Sequence, residues 1–305
     1  MNRINRLQRT YREYRSGRIT KSTYIKRMHD IHKILFDYSD FIKKTDISSI
    51  DINTYDVIMT LNKTGLKFLC DKNDHRIAPI EIINFSTYEN EEMAVTLKLI
   101  KKNYTIFDIG ANIGWYSLTL SRLKKNIQIY AFEPILRTYK YLNRNIALNN
   151  IKNIKTMNFG FSDKNKKIKF YYYPEGSGNA SALNISHHPN AEKITGRIMK
   201  LDDFINKENI KIDLIKCDVE GAELFVFKGA INTIKQQKPI IATEMLRKWS
   251  KPFNYHPNDI IELLGTVGYN CYVVRKKRLI NMPYITDHTK ETNFFFLHHQ
   301  KHKNI

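Results

Sequence analysis

From residue 104 onward the chain alternates short apolar runs with longer amphipathic stretches, and this alternation limits the fold more than any other feature. The runs lie at 104–109, 127–132, 154–159, 213–217 and 239–243, each too short for a helix. Between and after them, 113–124, 135–148, 222–236 and 257–267 carry the helical period. Runs that are apolar throughout need cover on both faces, so the pattern predicts a mostly parallel α/β sheet with helices on either side. Two further runs, 269–274 and 292–297, have no helical pattern between them and predict an antiparallel closing pair.

The residues ahead of this main unit, taken as 101–300, divide in two. In 46–100, runs at 57–61 and 66–70 flank Gly65 as a β-hairpin, and 89–100 reads as a helix. In 1–45, Ile4, Leu7, Tyr11 and Tyr14 mark one helix face, and Ser16-Gly17 stops it. Thr20 is placed to cap a second helix that carries Tyr24, Met28, Ile31, Leu35, Tyr38 and Ile42. This helical hairpin holds twelve Lys or Arg against four Asp or Glu. Arg3, Arg6, Arg9, Arg12, Arg15 and Arg18 recur every third residue, a step that drifts around a helix and spreads the charge. Such a surface suits an anionic partner, either a polyanion or a membrane surface. Charge runs are more often solvated faces, which favours a basic helix that covers the main domain or joins two copies as a homo-oligomer.

The 305 residues carry a formal net charge of +20, which admits nucleic acid, phosphate-bearing lipid or nucleotide-sugar as partners without choosing among them. No stretch reaches the ~18 consecutive apolar residues of a membrane span. Residues 1–30 lack the apolar centre of a signal peptide, so no transmembrane segment and a cytoplasmic location are expected. Cys70, Cys217 and Cys271 are too few and too scattered for a disulfide framework or a zinc site. The apolar neighbours of Cys217 predict a buried, inert thiol.

At the end of the first parallel run stands Asp108-Ile109-Gly110-Ala111-Asn112-Ile113-Gly114. Open α/β sheets bind ligands at this strand-to-helix crevice, and glycines let the backbone approach a ligand closely. A dinucleotide fingerprint would be Gly-x-Gly-x-x-Gly. Here the middle glycine is absent and Asp108 precedes the turn. That acid repels a pyrophosphate but suits the cationic methionine end of S-adenosylmethionine. Glu133, followed by Pro134 at the end of the second run, is placed to accept hydrogen bonds from ribose hydroxyls. Ser162 and Asp163 follow the third run, where a short polar pair can read an adenine edge or simply form a turn before a strand at 167–173.

The stretch Leu214-Ile215-Lys216-Cys217-Asp218-Val219-Glu220-Gly221-Ala222-Glu223-Leu224-Phe225 resembles the FkbM family of methyltransferases. The loop from Asp108, the Glu133-Pro134 pair, Ser162-Asp163, Gly178-Asn179-Ala180-Ser181, Leu201-Asp202-Asp203 and Glu244 fall in the order that family shows. The resemblance covers 65–300 and leaves out the hairpin. It implies a class I, Rossmann-like seven-stranded sheet with an antiparallel last strand, S-adenosylmethionine as donor, and an oxygen acceptor on a sugar or secondary metabolite.

Methyl transfer to an alcohol needs alignment and removal of a proton. Carboxylates ending the fourth and fifth runs nominate Asp218, Glu220 and Glu244, and His256 in the following loop is a further candidate base. The three acids could instead hold Mg2+ to orient and acidify a diol. Glu220 has a plainer reading as a helix cap, and Glu223 as a surface charge. The leading expectation is O-methylation of a sugar hydroxyl. The alternatives are a nucleic-acid 2'-O-methyltransferase using Lys216, Asp218 and Glu244, and a non-catalytic scaffold that keeps the fold.

Overall fold

The computed structural model describes residues 3–176, 178, 180–185 and 190–304. Helices α1 (Arg3–Arg15) and α2 (Lys21–His32) form the expected hairpin. Gly17 reverses the chain at φ +71°, and Thr20 caps α2 by accepting from the Thr23 amide at 3.2 Å. Tyr14 stacks on Tyr24, and Glu13 accepts from both Arg9 and Arg27. The second helix is interrupted at Lys33 and resumes as α3 (Ile34–Ile42). Lys33 keeps helical torsions, so the hydrogen-bond ladder breaks there without a reversing turn. The hairpin does not blanket the main domain: α2 and α3 bury no residue, and α3 touches the body through the strand that follows it.

That strand, β1 (Ile47–Ile52), adds to the expected hairpin of β2 (Val57–Leu61) and β3 (Lys67–Cys70) to make a small antiparallel sheet. Helices α4 (Ala78–Phe85) and α5 (Asn90–Leu99) lead into the main unit. There β4 (Thr105–Ile109), α6 (Trp115–Leu123), β5 (Gln128–Phe132), α7 (Leu136–Leu148) and β6 (Ile154–Met157) follow the predicted alternation. Next come β7 (Gly160–Phe161), β8 (Lys166–Tyr172) and β9 (Glu192–Met199), which form a third sheet in the order β7-β9-β8. Helix α8 (Leu201–Glu208), β10 (Leu214–Cys217), α9 (Glu223–Lys228), α10 (Ile231–Gln237) and β11 (Ile240–Glu244) return to the main sheet. Helices α11 (Arg247–Ser250) and α12 (Pro257–Gly265) and strands β12 (Tyr269–Arg275), β13 (Arg278–Asn281) and β14 (Asn293–His298) complete it.

The main sheet runs β13-β12-β14-β11-β10-β4-β5-β6. Its strands from β6 to β11 are parallel, and β14 lies antiparallel between β11 and β12. All seven expected strands are present. An eighth, β13, is the return arm of a hairpin on β12 at the edge, in a segment whose mixed polarity hides a strand. The stretch 222–236 is two helices that meet at Gly229-Ala230, where Asp202 accepts from the Asn232 and Thr233 amides of the second helix and Gly229 packs so close to the Ser162 carbonyl that a side chain could not fit.

Core forms on both faces of the sheet: Phe107, Ile109, Phe132, Ile215 and Phe296 on one, Ile106, Ile129, Leu214, Ile240 and Phe295 on the other. Period-2 alternation sends neighbouring residues to opposite faces, so strands apolar throughout feed both layers. The lead-in sheet joins this body through a shared core of Leu66, Phe68, Ile113, Leu118 and Leu142. Two asparagines of α7 and its cap pin its edge. Asn149 bonds the amide and carbonyl of Lys67 at 2.8 and 2.7 Å, and Asn145 accepts from the Leu69 amide at 2.9 Å. Asn145 also donates to the Ile113 carbonyl at 2.9 Å, tying the lead-in sheet to the glycine loop.

Among the described residues no helix is long and apolar enough to cross a membrane. The three cysteines are free, and Cys217 is buried with its thiol pushed well up by burial, as its neighbours foretold.

Candidate functional site

Strand order reverses between β4 and β10: from β4 the chain moves outward to β5 and β6, then returns to β10 and β11 on the other side. Such a switch point opens a crevice at the carboxyl ends of the strands. Here it is a cleft of about 480 Å³.

One wall is the glycine loop. Gly110 takes φ +79°, and a side chain there would run into the carbonyl oxygen of Asp218, so the ends of β4 and β10 come together only over a glycine. Asn112 and Gly114 are also left-handed, at φ +48° and +97°. The amides of Gly110 and Ala111 both donate to the Phe132 carbonyl at 3.0 Å. Asp108 is 1% exposed. Its Oδ2 accepts from the Ser117 amide at 3.1 Å and hydroxyl at 2.6 Å, while Oδ1 is buried with no hydrogen-bond partner. Burial raises its pKa against the opposing pull of Lys216.

Glu133 stands beside the loop at the end of β5. Its Oε2 accepts from the Asn112 amide at 3.0 Å and its Oε1 from the Ile135 amide at 2.8 Å. Burial pushes its carboxyl up to about 7. Pro134 lines the cleft opposite Gly160, and Ser162 lines it at the next strand end. Asp163 does not reach the lining; Ser162 donates to it at 3.3 Å, so of the polar pair only the serine faces the cleft. Asn179 of the family-like segment 178–181 lies outside the described residues.

The opposite wall gathers the carboxylates. One oxygen from each of Asp218, Glu220 and Glu244 lies within 4.8 Å of the others. Glu220 is held left-handed at φ +55°, and its Oε2 and the Oδ1 of Asp218 are buried without partners. Such strain persists only where neighbours fix it. The loop is fixed by Glu223. Contrary to its reading as a surface charge, Glu223 is 3% exposed; it accepts from the Val219 and Gly221 amides at 3.0 and 3.2 Å and from the Tyr255 hydroxyl at 3.2 Å. Burial, reinforced by Asp218, pushes Glu244 up to about 9 and Glu220 well above the carboxylate range.

Lys216 is buried beneath this cluster and donates to Asp218 at 2.9 Å, its ammonium 4.8 Å from the centre of the Tyr116 ring. Burial opposes the charge, but Asp218, Asp108 and Glu89 outweigh it and raise the pKa, so the lysine is a cation. His256 is not brought into the site. Its Nδ1 accepts from the Asn258 amide at 3.2 Å as the cap of α12, and its ring is exposed away from the lining. The Pro257-Asn258-Asp259 run after it was the sequence sign of a helix cap.

Several lining residues escaped sequence reasoning: Tyr88, Glu89, Lys248 and Trp249. Glu89, left-handed at φ +46°, comes from the lead-in segment and has a buried, unpartnered Oε2. No local periodicity could flag it, because it reaches the cleft only when α5 packs beside the sheet.

A parallel sheet with an antiparallel inserted strand, and a switch-point cleft that joins a glycine bend to an acid at the next strand, defines the class I methyltransferase fold. The chain belongs to the FkbM methyltransferase family, whose model, described as the Methyltransferase FkbM domain, matches residues 108–271. It is similar to Methyltransferase 1 of Beauveria bassiana (strain ARSEF 2860), with 26% identity over 48% of this chain and 72% of that protein. It is 30% identical to Methyltransferase sdnD of Sordaria araneosa over 43% of this chain and 61% of that one, so it spans less than two thirds of that relative. Similarity extends to the hexuronic acid methyltransferase AglP of Haloferax volcanii, with 25% identity over 62% of this chain and 73% of AglP.

Proposed function

We propose that the chain is an S-adenosylmethionine-dependent O-methyltransferase acting on a sugar hydroxyl of a glycan or glycoconjugate precursor. The observation that carries this reading is the meeting, in one cleft, of the bend at 110–114 with the carboxyl groups of Asp218, Glu220 and Glu244. The residues fit the donor: buried, unpartnered oxygens on Asp108 and Asn112 offer acceptors beside the bend, suited to the cationic amino-acid end. Glu133 suits the ribose hydroxyls and Ser162 the adenine edge. Bound there, S-adenosylmethionine supplies a sulfonium methyl that is transferred in line to an acceptor oxygen.

The chain's own groups align the acceptor and take its proton. Trp249 and Tyr88 line the cleft and bring aromatic surface to a sugar acceptor. Glu244, whose carboxyl is pushed up to about 9 by burial and Asp218, binds a proton readily. As the oxygen–methyl bond forms, the hydroxyl proton passes to this carboxylate. Asp218, held by Lys216, orients the hydroxyl. The naming of AglP as a hexuronic acid methyltransferase supports a sugar acceptor. The nucleic-acid reading needs Lys216 turned to substrate, and that ammonium is already taken by Asp218 and Tyr116.

A second reading is favoured by the unpartnered oxygens of Asp218 and Glu220, which with Glu244 form a carboxylate set for Mg2+. Turnover abolished by a chelator and restored by Mg2+ supports it; turnover indifferent to chelator rejects it.

The test is to incubate the full chain with methyl-labelled S-adenosylmethionine and a cell extract separated into glycan, nucleic acid, protein and small molecules. Label in glycan that survives mild base marks a methyl ether on a hydroxyl. Label released by base, which marks a carboxylate ester, or label in nucleic acid overturns the proposal. Asp108→Ala and Glu133→Ala are expected to lose donor affinity in calorimetry with the fold retained.

A further inference from the structure

We propose that the hairpin of α1, α2 and α3 docks the protein on a bilayer surface carrying anionic lipid. Ile4, Tyr11, Ile25, Leu35, Phe36 and Phe41 are 47% to 66% exposed. Single exposed apolar side chains are ordinary, but six in one short hairpin call for a partner. The same hairpin exposes Arg6, Arg12 and Arg15 on α1 and Arg18 in the turn after it, which form no ion pair among the described residues; Arg9 and Arg27 share Glu13. Residues 1–45 hold twelve Lys or Arg against four Asp or Glu.

Charge and apolar exposure together select the occupant. A second copy would bury the apolar side chains but press two strongly cationic hairpins together. A nucleic acid would satisfy the arginines but leave Leu35, Phe36 and Phe41 without an apolar environment. A lipid interface meets both demands, because apolar side chains enter the acyl boundary while guanidinium groups meet the phosphates. The hairpin's small contact with the body, made through α3 and β1, leaves these surfaces uncovered.

The experiment is co-sedimentation of the full chain with vesicles of phosphatidylcholine alone or with phosphatidylserine at about three parts in ten. Binding is expected only with phosphatidylserine, and to fall about tenfold when salt is raised from ~0.05 to ~0.3 M. The double variant Phe36→Ser, Phe41→Ser is expected to lose about tenfold at unchanged charge, as is the triple variant Arg6→Gln, Arg12→Gln, Arg15→Gln at unchanged apolar surface. Calorimetric binding of S-adenosylhomocysteine, expected to be equal in all three proteins, verifies that the variants fold. No sedimentation with phosphatidylserine overturns the proposal. So does binding that survives loss of Phe36 and Phe41 and transfers to duplex RNA, which assigns the hairpin to nucleic acid. A doubled mass by light scattering that the phenylalanine variant abolishes assigns it to a second copy and also overturns the proposal.

Discussion

Lys216 donates to Asp218 at 2.9 Å, so a lysine near the end of β10 and the acid just past that strand neutralise one another in the cleft. The lysine is 7% exposed and also faces Asp108 and Glu89. It is the cation that allows several acids to share one low-dielectric space.

Replacing it by methionine keeps the volume and removes the charge. Lys216→Met is expected to cost about 3 kcal/mol, since breaking a buried pair leaves an uncompensated charge. Adding Asp218→Asn should recover much of that loss in urea unfolding. A single variant as stable as the parent would show that the ammonium does not hold the cluster.

Gly110 and Gly65 separate two costs of adding a methyl group. Both have positive φ, but a side chain at Gly65 meets nothing within 4 Å whereas one at Gly110 meets the Asp218 carbonyl. Gly65→Ala is expected to cost roughly 1–2 kcal/mol, the left-handed penalty alone. Gly110→Ala should cost more and weaken donor binding at least tenfold; equal costs for the two would refute the close approach of β4 and β10 as the reason for the glycine.

The raised acids set a pH dependence. Glu244 holds its proton to about 9 when folded, against an ordinary value of 4.5. Between about pH 4.5 and 9 the unfolded chain has lost that proton and the folded chain keeps it, so stability falls as pH rises. Glu220 shifts the same way and adds to the slope. One such group contributes at most about 1.4 kcal/mol per pH unit. Glu244→Gln is expected to flatten the decline of the unfolding midpoint over this window. For turnover the sign is opposite, since the base must be ionised: the rate should climb toward pH 9, and a flat profile would remove Glu244 from the role of base.

Asn145 and Asn149 make similar bonds to the lead-in sheet, but only Asn145 also holds the glycine loop at Ile113. Each replacement by leucine strands buried backbone groups, at about 1–3 kcal/mol per group. Both variants should therefore unfold earlier. Calorimetry should show weakened donor binding for Asn145→Leu alone; equal affinities would mean that the loop does not depend on this tie.

The sheet was legible because its strands are apolar on both faces and separated by amphipathic helices, a pattern that has one common solution. The strand β13 was hidden because an edge strand with one solvated side needs no apolar run. The break at Gly229 was hidden for another reason: the groups that meet it, the Ser162 carbonyl and the Asp202 carboxylate bonded to the next helix, lie far away in sequence. His256 shows the converse, a residue chemically suited to catalysis whose neighbours Pro257 and Asp259 make it a helix cap.

By itself the sequence determined the alternation of strands and helices, the glycine bend and the acids at successive strand ends, because these are set by local periodicity and by which residues tolerate a turn. Only the tertiary structure decided that Asp218, Glu220 and Glu244 converge, that Glu89 joins them from the lead-in segment, that Glu223 is a buried brace, and that the basic hairpin stands uncovered. Those outcomes depend on packing between segments distant in the chain, where burial and neighbouring charge, not residue type, fix what each side chain can do.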